Sequence, residues 1–136
     1  MSLIKYIKKV FSDQKEGKYS NIYILIDIHN TILVPSFDQE ENYIYYPYAQ
    51  KVLELLSSNP NVKLILWSST YQDKIQNYID NFIKNGIVFD YINQNPEIAN
   101  SSFGCFDHKF FFDIGIDDKF GFDPNHDWKK IYNFLV

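Results

Sequence analysis

Ile22-Tyr23-Ile24-Leu25-Ile26-Asp27-Ile28-His29-Asn30-Thr31 is the stretch on which the fold turns. Its first five residues are apolar without a break, and three of them are β-branched. A strand with one wet face would alternate apolar and polar residues; a continuous run predicts a strand from Ile22 to Ile28 buried on both faces, the centre of a parallel sheet. Asp27 comes at the end of that run. In an open α/β sheet the loops leaving the carboxyl ends of the strands converge on one crevice, so an acid at this position is a candidate for chemistry.

Outward from this strand, Val62 to Trp67, Ile87 to Ile92 and Phe110 to Ile116 are further apolar runs, the last ending in Asp117-Asp118. Helical periods separate them. Pro47 opens a helix whose inner stripe is Val52, Leu55 and Leu56 and which Asn59-Pro60 closes. Thr70, with Asp73 three residues on, caps a second helix that turns Ile75, Tyr78, Ile79, Phe82 and Ile83 inward and stops at Asn85-Gly86. Trp128, Ile131, Tyr132 and Leu135 mark a final helix, and Leu3 to Phe11 an amphipathic one that packs on the body, with a helix lying on a membrane surface the alternative. Residues 32 to 45 show no clean period and predict a loop or short flap; Asn93 to His108 predicts a polar, irregular connection. Strands alternating with helices imply βαβ units with right-handed crossovers, hence a three-layer, Rossmann-like α/β sandwich around a parallel sheet.

The chain has 136 residues, 46% apolar and 22% charged, with a net charge of −4. That suits one core rather than two, so residues 1–20 read as an N-terminal helix and linker and 21–136 as a single α/β domain without a large cap. The acidic balance argues against a duplex DNA binder working through a basic face. All 13 basic residues are lysine, so no bidentate guanidinium can clamp an anion; Lys, backbone N–H groups or a metal must do it. Cys105 is the sole cysteine, which excludes an intrachain disulfide and a cysteine-based zinc site and fits a reducing compartment. Lysines interrupt the N-terminal apolar stripe as they would not in a signal peptide, and nothing approaches the ~20 apolar residues of a membrane span. These features predict a cytoplasmic protein with no membrane partner.

Just past the first strand stand Asp27, His29, Asn30 and Thr31; past the second, Ser68 and Ser69; before the fourth, Lys109; after it, Asp117 and Asp118. Carboxylates gathered this closely repel one another unless they share a proton or a divalent cation, and an oxygen-rich set favours Mg²⁺. A cation on one side and a lysine on the other would neutralise a phosphoryl group, and a carboxylate nucleophile would complete a phosphoryl-transfer site. Lys74 competes with Lys109 for the ammonium role. His108 and His126 read as surface residues, and Tyr43, Tyr45, Tyr46 and Tyr48 as packing, with a substrate mouth the alternative.

In this order the motifs resemble those of the haloacid dehalogenase superfamily: a strand ending in Asp-x-Asp-x-Thr, a strand ending in Ser or Thr, a downstream Lys, and a strand ending in two acids. Here they read Asp27-Ile-His29-Asn30-Thr31, Leu64-Ile-Leu-Trp67-Ser68, Lys109 and Ile114-Gly-Ile-Asp117-Asp118. The likeness covers residues 20 to 136 and is strongest to the small capless hydrolases. It implies a Mg²⁺-dependent phosphatase working through an aspartyl-phosphate. In that picture Asp27 is the nucleophile; Asp27, the His29 carbonyl and Asp117 or Asp118 hold the metal; Ser68 (with Ser69 beside it) and Lys109 hold phosphoryl oxygens; and Asn30 and Thr31 shape the phosphate loop. His29 departs from the pattern, because the family's phosphatases carry there the Asp that protonates the leaving oxygen and then activates water. Either the imidazole does this work, or the protein binds metal and phosphate without turnover. Without a cap the site is open, which fits a small phosphorylated molecule, a polymer end or a phosphoprotein, or closure by a second subunit of a homo-oligomer. A phosphoacceptor receiver domain is disfavoured because its paired acids follow the first strand, and a metal-dependent nuclease because of the negative charge.

Overall fold

A computed structural model describes residues 1–35 and 43–136. The elements run α1 (Leu3–Lys15), β1 (Ile22–Asp27), α2 (Ala49–Ser58), β2 (Val62–Trp67), α3 (Gln72–Lys84), β3 (Tyr91–Ile92), β4 (Ile114–Ile116), one 3₁₀ turn (Asp118–Phe120) and α4 (Asp127–Leu135). The four strands form one all-parallel sheet in the order β3-β2-β1-β4. β1 lies inside it, as its unbroken apolar run requires. No helix among the described residues is long and apolar enough to cross a membrane.

Ile22, Ile24 and Ile26 of β1 join Val62, Leu64 and Leu66 of β2 and Ile114 and Ile116 of β4 in one apolar cluster with the buried faces of all four helices. The alternate residues point the other way. There Tyr23 meets Phe111 edge-on, centroids 6.0 Å apart; because the buried faces of all four helices join the cluster on the first side, the irregular 93–113 connection stands where the three-layer expectation placed helices. The first helix is part of this core: Ile7, Val10 and Phe11 are buried in it, Phe11 packs edge-on against Phe134 of α4, and the Tyr19 hydroxyl donates to the Val10 carbonyl at 2.7 Å.

Two strands are shorter than their apolar runs, for a shared reason. Asp90 donates its N–H to the Leu64 carbonyl and accepts the Leu64 N–H on its own carboxylate, at 2.9 and 2.8 Å. Asp113 does the same with Tyr23, both at 2.8 Å. Each acid occupies the ladder with its side chain, so pairing begins only beyond it, at Tyr91 and Ile114. Ile87 is still fully buried, but as the residue after the left-handed Gly86, donating its N–H to the Phe82 carbonyl to close α3.

Smaller corrections concern helix faces and ends. Leu55 is 37% and Ile83 53% exposed; Ala49 and Leu53 take the place of Leu55 in the core. Helix α2 starts at Ala49 after Tyr48 in the left-handed region, and α3 after Tyr71, because the Thr70 hydroxyl is bonded to Ser68 instead of capping it. From the 32–45 stretch, the Val34 N–H donates to the Ile44 carbonyl at 2.8 Å and the Tyr46 N–H to the Ile32 carbonyl at 3.0 Å, so its two ends form a short antiparallel ladder. The expectation for positions 36–42 falls outside the described residues.

Candidate active site

Register explains which side chains meet. Asp27, last in β1, is the partner of Trp67, last in β2, and partners in a pleated sheet send their side chains to the same face. Ile26 pairs with Ile116, which places Asp117 next to Asp27 on the other side. Asp27, Asp117 and Asp118 can each offer one carboxylate oxygen such that all three lie within 4.8 Å of one another. Asp27 and Asp117 open onto a cleft of about 520 Å³ lined also by Ser68, Ser69, Asn93 and Lys119. Its two aromatic walls are Trp67 and Phe120. Hollows of about 470 and 460 Å³ lie along the 93–113 connection, but no second such cluster of acids, His or Cys occurs among the described residues.

The charges in the cleft are strained. Burial pushes the Asp27 carboxyl from 3.8 up to about 6, Asp117 and Asp118 add repulsion, and the Ile28 amide and the Lys119 charge oppose it. Asp117 is raised as well, first by burial and then by the neighbouring Asp118 carboxyl, against the pull of the Lys119 amide. Asp117 is only 4% exposed. One of its oxygens accepts the Lys119 N–H at 2.9 Å; no N–H or hydroxyl of the described residues reaches the other. This all-oxygen, anionic donor set fits a hard divalent cation, which would relieve the repulsion.

Thr31 braces the site from beneath. Fully buried, its hydroxyl donates to an Asp118 carboxylate oxygen at 3.2 Å and accepts the Asp118 N–H at 3.1 Å, tying the loop after β1 to the loop after β4. The Trp128 indole N–H donates to the Thr31 carbonyl at 2.8 Å, anchoring the brace to α4. Thr31 is therefore spoken for and does not line the cleft. Asn30 is exposed and takes the left-handed conformation, φ 59°, that lets the chain turn after His29; it too lies outside the cleft lining.

Ser68 lines the cleft, but its hydroxyl bonds the Thr70 hydroxyl at 2.8 Å and accepts the Thr70 N–H at 3.1 Å. Asn93, just past β3 and itself left-handed at φ 53°, grips the Ser68 peptide from both sides. Its amide oxygen accepts the Ser68 N–H at 2.9 Å and its nitrogen donates to the Ser68 carbonyl at 2.8 Å. Ser69, exposed and with no hydrogen bond to the described residues, is the hydroxyl left to face a ligand.

Two expected residues are placed elsewhere. Lys109 is exposed on the 93–113 connection and does not line the cleft; Lys119 does, and its ammonium makes no ion pair among the described residues. The His29 ring is turned toward α3, with Nε2 3.1 Å from the Tyr78 hydroxyl and the rings edge-on at 5.3 Å. Burial there holds the imidazole below its usual pKa, so near neutrality it is uncharged. The tyrosines after the flap are packing: Tyr43 meets Tyr78, Tyr45 meets Phe82 and Tyr48 meets Tyr132. His126 is on the surface against Asp123 at 2.8 Å. Lys119, Asn93, Trp67 and Phe120 were not foreseen. The signal in the sequence is position alone: each stands at or just beyond a strand's carboxyl end.

No family model matches the chain, and no curated protein matches it. Among solved structures, one described as the conserved protein coded by locus from Bacteroides thetaiotaomicron is similar, with a TM-score of 0.64 and 26% identity over 85% of this chain and 89% of that one. The shared parallel-sheet α/β architecture is thus found in a bacterial protein of comparable extent.

Proposed function

We propose that this protein is a Mg²⁺-dependent phosphohydrolase with Asp27 as the phosphoryl acceptor, a small member of the haloacid dehalogenase superfamily. The observation that carries the reading is the cluster of three carboxylates, two of which share one cleft with Lys119, an ammonium with no ion pair among the described residues. Asp27, Asp117 and Asp118, with the His29 backbone carbonyl, would hold Mg²⁺, which when bound supplies positive charge to offset the acids and the phosphoryl oxygens. Lys119 takes the part first assigned to Lys109 and neutralises a phosphoryl oxygen, while Ser69 donates to another. The Asp27 carboxylate forms a bond to phosphorus as the ester P–O bond breaks; the leaving oxygen takes its proton from a protonated His29 or from water, and a water then attacks the acyl phosphate, releasing phosphate and restoring Asp27.

The proton donor decides between this and a second reading. His29 would have to leave Tyr78 to serve the leaving oxygen, and that contact favours a protein that binds metal and phosphate without turning over. Phosphate release from para-nitrophenyl phosphate with and without Mg²⁺ separates the two. Turnover by the native protein that Asp27→Asn abolishes supports the phosphohydrolase. A native protein that is inert while His29→Asp is active establishes the binding protein, and activity that survives Asp27→Asn overturns the assignment of the nucleophile.

A further inference from the structure

The acids explain where a phosphoryl group would sit but not why two large aromatic side chains stand exposed beside them. Trp67 is 39% and Phe120 69% exposed, and both line the cleft of Asp27 and Asp117. They come from opposite sides of it. Trp67 ends β2 as the partner of Asp27, whereas Phe120 follows β4, and β1 lies between those strands. Trp67 packs against Phe110, centroids 5.7 Å apart, so protein backs part of its ring while the rest stays exposed. An exposed indole costs hydration free energy, and at a strand tip nothing in the folding of the sheet requires one.

We infer that this pair recognises a planar aromatic group on the ester, so that the substrate class is a phosphomonoester carrying a flat ring. The inference rests on the phosphoryl-binding reading above and adds its specificity. Indole and phenyl faces stack on any flat π-system, with little demand on hydrogen-bond pattern, and such stacking changes affinity by roughly fivefold to a hundredfold. Two sources share this chemistry, a nucleoside monophosphate and a simple arylalkyl phosphate.

Matched pairs separate the ring from the rest of the molecule, because each pair shares its type of leaving alcohol: adenosine 5′-monophosphate against ribose 5-phosphate, and benzyl phosphate against cyclohexylmethyl phosphate. Affinities are measured by calorimetry on the full chain at saturating Mg²⁺, with inorganic phosphate as the reference. The planar member should bind about fivefold or more tightly in at least one pair, and the better pair names the source. It should also quench the fluorescence of Trp67, since Trp128 is fully buried. Trp67→Ala and Phe120→Ala should bring the ratio within that pair close to one, while Trp67→Phe retains most of it; circular dichroism verifies that the variants are folded. Equal affinities within both pairs, or a preference that survives both alanine substitutions, would overturn the inference while leaving phosphoryl binding intact. A native chain that binds neither inorganic phosphate nor any of the esters would remove both readings together.

Discussion

Asp27→Asn should stabilise the protein when no divalent cation is bound and lose that advantage when Mg²⁺ is saturating. The carboxyl rises from 3.8 to about 6 on folding, with burial the largest cause and Asp117 the next. At about 1.36 kcal/mol per pH unit, the ionised acid costs the fold at most about 3 kcal/mol, and solvent at the mouth of the cleft screens this to about 1–2 kcal/mol. A carboxyl whose pKa is raised in the folded state makes that state bind more protons between the two values. Stability therefore falls as pH climbs from about 4 to about 6, and the penalty is complete above that window. Asn has the same shape and no charge, so the variant should be more stable by about 1–2 kcal/mol near pH 7.5, with the gain vanishing near pH 4. Urea unfolding followed by circular dichroism across this range, in chelator, gives both quantities. Adding Mg²⁺ at a hundred times its Kd should then stabilise the native protein by about 2.7 kcal/mol and the variant by much less. A variant less stable than the native protein in chelator near pH 7.5 would refute the argument, because it would mean that donors hold the Asp27 carboxylate instead of acids repelling it. An equal response to Mg²⁺ in both proteins would take Asp27 out of the cation site.

Three further outcomes follow from the contacts around the cleft. Thr31→Val keeps the shape but deletes both hydroxyl bonds to Asp118; it should cost about 1–3 kcal/mol in urea unfolding and weaken Mg²⁺ binding in calorimetry, with Thr31→Ser restoring the binding. Lys119→Ala should reduce kcat/KM for para-nitrophenyl phosphate about tenfold or more, as expected for loss of one electrostatic donor, whereas Lys109→Ala should leave it within twofold; the reverse pattern would return the role to Lys109. Asn93→Gly removes both bonds to the Ser68 peptide without straining a backbone at φ 53°, since glycine accepts positive φ at no steric cost. It should therefore raise KM or lower kcat while urea stability falls by no more than about 1 kcal/mol.

The sheet was legible because its centre is written as an unbroken apolar run. Ile22 to Ile26 has no wet face, so only an interior position satisfies it, and the acids that end β1 and β4 had to emerge at one edge once those strands were parallel neighbours. What could not be read was how far pairing extends and where side chains turn. Phe110 to Phe112 are as apolar as a strand, but the Asp113 carboxylate takes the Tyr23 N–H and shortens the ladder, and spacing alone does not reveal which acid will do so. The motif likewise directed attention to His29 and Lys109, whose side chains the fold turns to Tyr78 and to the surface, while Lys119 stood beside the acids unremarked. Motif position fixes a Cα. It does not fix which of several neighbours a long side chain will choose.

Five aspartates stand at the ends of these strands, and the backbone sorts them. At the entering edge, Asp90 and Asp113 each accept a strand amide at 2.8 Å, so their charges serve the ladder even though burial raises Asp113. At the leaving edge the donors are fewer than the lone pairs. Asp27 has the Ile28 amide, Asp117 the Lys119 amide and Asp118 the Thr31 hydroxyl, and the three crowd together with oxygens to spare. A carboxylate can accept about four hydrogen bonds, and each of the five takes one N–H or hydroxyl of the described residues, so the number of donors does not separate the two edges. What does separate them is that at the leaving edge three like charges stand within 4.8 Å of one another, where burial and repulsion raise Asp27 and Asp117. A bound cation would relieve that repulsion, which is why the cation titration of native and Asp27→Asn protein tests the electrostatic reading of the site, whichever reaction the site performs.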